Sequence, residues 1–372
     1  MQTTSLYIGV MSGTSLDGID TALVAIDSDT TELIASDTFP IPENVKQHVL
    51  NIAMGQQTNL VEVGLIDCQL GHLYADAVNQ LLAKSNLDAS AITAIGNHGQ
   101  TVYHQPFGDY PFTLQLGDAN IIAAKTGIKT VADFRRKDVA LGGQGAPLVP
   151  AFHRTVFNPS HSSIVVLNIG GIANISVLRA NTATLGYDTG PGNMLLDAWI
   201  YTQTGDNYDK NGQYSATGKI IPELLTSLCN DDYFQLEAPK STGRELFNLD
   251  WLKKKLNELN STFAPQDVQA TLSEFTALTI ANEVKKYYQG HAPELLVCGG
   301  GSRNPRLMAR LATLLPNWHV CTTDDKGVNS EYMEAIAFAW LAYRRCNSLP
   351  SNLPEVTGAS KPASLGVIYP AD

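Results

Sequence analysis

Apolar residues follow two rhythms along this chain. Near the start they run almost unbroken over Leu6–Val10, pause in Met11-Ser-Gly-Thr-Ser-Leu-Asp-Gly18, and resume over Ile19–Asp27 and Glu32–Phe39. Short apolar runs bounded by Gly and Ser read as strands, with the small residues where the backbone turns sharply. Ile66, Leu70, Leu73, Ala77, Val78 and Leu81 instead recur at helical spacing and predict a helix over 62–83. A short strand, Ala91–Gly96, follows and ends in Asn97-His-Gly-Gln100.

The same order of elements returns later. Ser163–Ile169 is strongly apolar and breaks at Gly170-Gly171; further strands are expected over Ala173–Leu178 and near Ala183–Tyr187. A helix is expected over Asp267–Tyr288, with Val268, Leu272, Phe275 and Leu278 on its inner face. Glu294–Cys298 reads as a strand, Gly299-Gly-Gly301 as a turn and Asn304–Leu315 as a helix. Glu331–Arg345 reads as another helix, with acids first and Arg344-Arg345 last, an order that suits the helix dipole. The tail from Asn347 holds four prolines and reads as an extended wrap. Two strand-turn-strand-strand openings, alike in pattern and not in residues, indicate an internal duplication. Alternating strands and helices in two such halves predict an α/β protein with a cleft between domains. Gly142–Pro150, with three glycines and two prolines, is the expected crossing point. The domains are placed at 1–145 and 146–372, with the last helix and tail free to pack back on the first.

Composition narrows the classes. The 372 residues exceed what one core usually covers. Charged residues make up 16%, well under the usual quarter, so material for buried sheet is ample. The 25 Lys and Arg against 36 Asp and Glu give a net charge of −11. That balance disfavours nucleic acid and anionic membranes as partners. No apolar stretch reaches membrane-span length, and no Lys or Arg precedes the first apolar run, so neither a span nor a secretory leader is expected. Five cysteines without a C-x-x-C pair read as reduced, packed thiols, and the expected location is the cytoplasm.

Three Gly-containing turns follow apolar strands: 11–18, 170–174 and 299–304. Glycine lets backbone N–H groups approach an anion closely, though tight turns use it for backbone reasons alone. None matches a P-loop, a dinucleotide fingerprint or a hydrolase elbow, so Ser15 is a weak nucleophile candidate. Two other features are open in sequence. Asp188, beside Thr189-Gly-Pro-Gly192, reads as an Asx-turn carboxylate or as an acid exposed for catalysis at a strand end. Lys125–Lys137 carries five basic residues and one Asp, which reads as a solvated face or as an anion pocket in which Arg135 or Arg136 binds a carboxylate through two hydrogen bonds.

Paired phosphate hairpins in duplicated domains, with a later Gly-rich turn, resemble the layout of the actin, heat-shock ATPase and sugar-kinase superfamily. Gly9-Val-Met-Ser-Gly-Thr-Ser-Leu-Asp-Gly-Ile-Asp20 resembles the opening motif of the anhydro-N-acetylmuramic acid kinase family. So do Gly96-Asn-His-Gly-Gln-Thr-Val102, Asp133-Phe-Arg-Arg-Lys-Asp138, Asn168-Ile-Gly-Gly-Ile-Ala-Asn174, Tyr187-Asp-Thr-Gly-Pro-Gly-Asn193 and Met333-Glu-Ala335, in family order. The resemblance implies two ribonuclease-H-like, actin-type ATPase domains with the active site in the cleft between them. It also implies ATP-dependent, hydrolytic opening and phosphorylation of 1,6-anhydro-N-acetylmuramic acid to N-acetylmuramic acid 6-phosphate, in cell-wall recycling. The alternatives are an ordinary sugar kinase acting on a free hydroxyl and an actin-fold, ATP-driven binding protein.

With the resemblance, Asp188 becomes the general base that activates the attacking water. Gly13, Thr14, Ser15, Leu16, Asp17, Gly18, Ile19 and Asp20 are expected at ATP, the amides of Gly13, Thr14 and Ser15 facing the β- and γ-phosphates. Gly170 and Gly171 are expected to close from the other side, and Gly299, Gly300 and Gly301 to border the adenosine. Asn97, His98, Gln100, Arg135, Arg136 and Glu334 are the expected sugar contacts, one of the arginines taking the lactyl carboxylate. Glu334 otherwise reads as a dipole-stabilising acid. His98 and His104 stand too far apart for a helical metal pair and read as structural or hydrogen-bonding. The cofactors implied are ATP and Mg²⁺. Met11 stands where the superfamily usually has a metal-contacting Asp, so Asp17 or Asp20 replaces it, or phosphates and water hold the magnesium. A homodimer is part of the same likeness.

Overall fold

The computed structural model of the chain describes residues 4–13 and 16–371. Residues up to Val156, with those from Tyr332 onward, form one compact unit, and Phe157–Glu331 forms a second. In chain order the first unit opens with β1 (Ser5–Met11), β2 (Ile19–Ile26), β3 (Thr31–Phe39), β4 (Ile92–Asn97), β5 (Gln100–Gln105), β6 (Phe112–Leu116) and β7 (Thr130–Ala132). The second unit holds β8 (Ile164–Ile169), β9 (Ile172–Leu178), β10 (Leu185–Pro191), β11 (Glu294–Cys298) and β12 (His319–Thr322), and the chain then returns to the first for β13 (Val367–Tyr369).

The two units repeat one topology. The first sheet runs β13-β7-β4-β1-β2-β3 and the second β10-β9-β8-β11-β12. In the first, β2 is antiparallel to β1 and β3, while β4 is parallel to β1 and to β7. In the second, β9 is antiparallel to β8 and β10, while β11 is parallel to β8 and to β12. Each sheet therefore has the ribonuclease-H-like order 3-2-1-4-5 with the same directions, and β13 adds an antiparallel edge strand to the first. The duplication expected from the hydrophobic pattern is thus a property of the backbone. The residues diverge because the buried positions of the central strands ask mainly for apolar bulk.

In the first unit one sheet face is covered by the Leu60–Ser85 helix. Asn59 caps it, its side chain accepting from the Val61 and Glu62 amides at 3.0 and 3.1 Å. Ile66, Leu70, Ala77, Val78 and Leu81 are buried under it. The other face meets the Met333–Cys346 helix, and here two glycines are required. Gly9 of β1 and Gly96 of β4 are register partners. A Cβ on Gly9 would lie 1.7 Å from the Ala335 carbonyl oxygen, and one on Gly96 2.0 Å from that of Phe338. The helix backbone rests directly on the sheet, which fixes the height and rotation of its first turn.

Three sequence expectations are revised. Gly142–Pro150 is not the crossing point and lies inside the first unit, because the tail holds it there. The fully buried Asp138 carboxylate accepts from the Gly145 amide at 2.8 Å, the Asn352 side-chain amide at 2.8 Å and the Thr357 hydroxyl at 2.9 Å, and the Gln144 amide donates to the Thr357 carbonyl at 2.7 Å. β10 does not stop at Tyr187 but continues to Pro191, so Asp188 stands within a strand opposite Asn174, next to a register shift before Gly190. The Pro265–Lys285 helix has no single inner face: Gln269, Thr271, Glu274 and Glu283 are buried along with the apolar residues, whereas Leu278 is only half-buried.

Candidate functional site

In the first unit the carboxyl end of β4 delivers Asn97 and His98. Asn97 is 1% exposed, and neither atom of its side-chain amide has a hydrogen-bond partner among the described residues. A buried primary amide left unsatisfied is costly, so its donor and acceptor are available to a ligand. His98 is buried, and its Nε2 lies 3.2 Å from Nε and 2.9 Å from Nη2 of Arg135. A guanidinium only donates, so Nε2 accepts and the imidazole is neutral with its proton on Nδ1. Burial, with the Arg135 charge beside it, holds the His98 pKa well below the usual histidine range. Arg135 also donates through Nη1 to the Gly145 carbonyl at 2.8 Å. Burial lowers its pKa to about 10, while Glu334 and Asp138 favour its charge. It stays cationic at neutral pH, and a neutral imidazole plus a carbonyl leave that charge unneutralised by direct ion pairing.

The acids of this unit stand close by. Glu334 enters on the first turn of the helix that Gly9 and Gly96 seat. Burial raises its pKa, Arg135 opposes that and the Asp20 charge adds to it. Asp20 lies on β2 and accepts from the Thr38 hydroxyl at 2.8 Å. Thr38 and the Tyr332 hydroxyl are 3.1 Å apart. Asn97, His98, Arg135, Asp20 and Glu334 are thus brought to one end of the sheet. Arg136 is not among them. Its side chain is 71% exposed and pairs with Asp133 at 3.3 Å, which answers which arginine faces inward. Gln100 is buried, but its carbonyl accepts from the Ser12 hydroxyl at 2.5 Å, and Ser12 in turn lies 3.0 Å from the Tyr74 hydroxyl. Its oxygen is engaged by the fold.

The expected phosphate loop 11–18 divides by role. Thr14 and Ser15 lie outside the described residues. Leu16 and Ile19 are buried in the hydrophobic core and serve packing. Leu16 donates its amide to the Gly13 carbonyl at 3.2 Å and has a φ of +55°. Asp17 is 82% exposed and 3.7 Å from Lys46. Gly18 stands against the Thr38 methyl, where a Cβ would come within 2.6 Å.

In the second unit Asp188 is half-buried and held by a segment that sequence reasoning did not single out. Its Oδ2 accepts from the Ser241 hydroxyl at 2.9 Å and from the Thr242 amide at 3.0 Å. Its amide donates to the Lys240 carbonyl at 3.0 Å, and its carbonyl accepts from the Tyr233 hydroxyl at 2.6 Å. Burial raises the Asp188 pKa, the Thr242 and Ser241 hydrogen bonds work against that, and Glu245 reinforces it. Lys240 pairs with Glu283 at 2.9 Å, both side chains being almost wholly buried. The signal for this segment was weak in sequence, since a Lys-Ser-Thr-Gly stretch reads as a loop and a buried lysine leaves no pattern.

Near Asp188 in sequence, Gly170-Gly171 forms the β8–β9 turn. The Gly170 amide donates to the Ile172 carbonyl at 3.2 Å, so it is spent within the hairpin. The Gly170 carbonyl accepts from Asn193 at 2.8 Å, and that of Gly171 accepts from Gly192 and Met194 at 2.9 and 3.1 Å. The hairpin is therefore tied to the start of the Met194–Thr204 helix through its carbonyls. In the third glycine turn, Gly299 and Gly301 are packing positions: a Cβ would come within 2.2 Å of Asn168 Oδ1 and 2.3 Å of Ile169 Cγ2 respectively. At Gly300 between them a Cβ would meet only Asn193 Nδ2, at 4.0 Å. Among the described residues no group of three or more His, Cys, Asp or Glu is arranged to hold a metal ion, and no helix is long and apolar enough to cross a membrane.

A family model described as anhydro-N-acetylmuramic acid kinase matches residues 5–371. The anhydro-N-acetylmuramic acid kinase of Vibrio vulnificus (strain YJ016) is 61% identical over 370 residues, covering 100% of both chains. That of Vibrio parahaemolyticus serotype O3:K6 is 62% identical over 369 residues, covering 99% of each. That of Pasteurella multocida (strain Pm70) is 55% identical over 371 residues, covering 100% of this chain and 98% of the relative. Agreement at this level along the full length sets aside an ATP-driven binding protein and assigns the chain to a kinase family. The chain belongs to the anhydro-N-acetylmuramic acid kinase family, and is a carbohydrate kinase that draws on ATP.

Proposed function

We propose that this chain opens the 1,6-anhydro bond of 1,6-anhydro-N-acetylmuramic acid with water and passes the γ-phosphoryl group of MgATP to the freed O6. The full-length family match supports the substrate, and the pinned Asp188 carboxylate is the single observation that carries the hydrolytic step. Asp188 Oδ2 is occupied by Ser241 and Thr242, so Oδ1 takes the proton of the attacking water. The water oxygen bonds to C1, the C1–O6 bond breaks, and O6 attacks the γ-phosphorus as ADP leaves. The products are N-acetylmuramic acid 6-phosphate, ADP and the proton on Asp188, which returns to solvent. A carboxylate whose pKa is raised by burial is a better proton acceptor near neutral pH than an exposed one.

Arg135 binds the lactyl carboxylate, which explains why its immediate partners are a neutral imidazole and a carbonyl. Asn97 supplies an amide donor and acceptor to the sugar, and Glu334 accepts from a sugar hydroxyl. Magnesium bound with ATP would supply charge neutralisation for the transferring group, with phosphate oxygens and water as its main ligands. Asp20, at the start of β2, is the carboxylate that would remain for it, since Asp17 stands in solvent. Asp188→Asn is expected to lower kcat by roughly 10²–10⁴ with folding intact. The deciding experiment is ADP release with MgATP, with and without the anhydro sugar, in ¹⁸O-labelled water. Sugar-dependent ADP with early label at the anomeric position supports the coupled reaction. Sugar-dependent ADP without label means phosphorylation of a hydroxyl already free.

A further inference from the structure

We propose that Lys240–Thr242 is the positioning device for Asp188: it fixes the plane of the carboxylate and leaves Oδ1 as the oxygen that receives the proton. The proposal rests on the reading of Asp188 as the base. Four hydrogen bonds define the arrangement. Ser241 Oγ and the Thr242 amide both donate to Oδ2, and Oδ1 has no hydrogen-bond partner among the described residues. The Asp188 amide donates to the Lys240 carbonyl and its carbonyl accepts from Tyr233, so backbone and side chain are held together. A carboxylate with one oxygen doubly bound can turn neither about χ1 nor about χ2 without losing both donors.

The segment itself is anchored from beneath. Lys240 lies 2.9 Å from Glu283, 3.4 Å from the Tyr233 carbonyl and 4.9 Å from the centre of the Tyr233 ring. Glu283 also accepts from the Tyr187 hydroxyl at 2.9 Å and from Lys286 at 2.6 Å. Burial alone would raise the Glu283 pKa, but the bonds from Lys286, Lys240 and Tyr187 bring it below the usual range, so Glu283 keeps its charge. A buried ion pair adds little net stability compared with well-packed apolar residues of the same volume, but removing either partner leaves a buried charge uncompensated, so Lys240 and Glu283 must meet in this one geometry. Here that geometry belongs to the segment that aims the base. Tyr187 and Asp188 are neighbours on β10, so the anchor and the base share one strand.

The groups facing Asp188 fix the sign of the pH effect. Ser241 and Thr242 stabilise its charged form, Glu245 disfavours it, and Tyr233 touches only its carbonyl. Removing the Ser241 hydroxyl takes away one stabilising bond, so the acid limb of activity moves to higher pH. In Ser241→Ala, kcat is expected to fall about tenfold at neutral pH, with KM for both substrates within about twofold, and the acid limb of kcat to move up by roughly one pH unit. Ser241→Thr keeps a hydroxyl and is expected to restore both. Tyr233→Phe removes the carbonyl contact alone and is expected to lower kcat without moving the limb. A Ser241→Ala enzyme with the wild-type kcat and pH profile would overturn the proposal, as would an Ala variant whose loss appears only in KM. If Asp188→Asn keeps near-normal turnover, the base assignment fails and this proposal with it; if Asp188→Asn is inactive while Ser241→Ala is unchanged, only the positioning role fails.

Discussion

Arg135 and Arg136 are adjacent, equally charged and opposite in use. Arg135 donates to a buried neutral histidine and a backbone carbonyl, while Arg136 stands in solvent beside Asp133. Arg135→Lys keeps the charge but loses the planar fork, so it is expected to raise KM for the anhydro sugar roughly tenfold to a hundredfold, with KM for ATP little changed. Arg136→Ala is expected to leave both within about twofold, since an exposed ion pair contributes little. Steady-state kinetics of the two variants side by side checks this, and equal effects would remove the lactyl assignment. Basic clustering in 125–137 was visible in sequence, but the choice between neighbours was not. It is made by Gly145, ten residues on, whose position depends on a carboxylate that the tail surrounds. Likewise Asp188 stood out beside its glycines, whereas Ser241 and Thr242 reach it from 53 and 54 residues away.

The Met333–Cys346 helix shows how an element carries a residue into the site. Its seat on Gly9 and Gly96 leaves no room for a methyl group on either strand. Gly9→Ala would bring a Cβ against helix backbone, which cannot rotate away, so a loss of about 3 kcal/mol or more is expected. Glu334 would move with its turn, and activity should fall by more than the unfolded fraction explains. Gly64 gives the opposite sign. It sits in the Leu60–Ser85 helix with nothing near the position of a Cβ and no positive φ. Gly64→Ala is therefore expected to stabilise by up to about 1 kcal/mol, read as a higher urea midpoint. The two glycines look alike in sequence. The helix at 62–83 was legible because its apolar spacing is regular, while the close approach over Gly9 depends on a helix more than 300 residues away.

At the scale of the whole molecule, the duplicated sheet order was legible because the strand-turn-strand-strand pattern survives where the residues do not. The unit boundary was not, because glycines and prolines in 142–150 mark a loop equally well whether it links two bodies or, as here, is stitched to the tail through Asp138. The first unit also buries two histidines, His98 and His153. Burial, with Arg135 adding to it, holds His98 well below the usual range, and burial brings His153 down to about 3. A histidine whose folded-state pKa lies below its unfolded value of about 6.5 stays neutral in the fold while the unfolded chain binds a proton. Its contribution is complete above pH 6.5 and is lost as pH falls from there towards the folded-state value. Between pH 6.5 and 5 His153 is expected to remove up to about 2 kcal/mol, a slope near 1.4 kcal/mol per pH unit for one proton, and His98 acts in the same direction. Carboxylates add their own dependence mostly below that window. His153→Gln removes one titrating group, so its stability, whatever its absolute value, should fall less steeply over that range by about one proton's worth. Urea unfolding at half-unit intervals from pH 7 to 5 reads both slopes. Parallel curves for wild type and variant would mean that His153 takes up its proton in the folded chain.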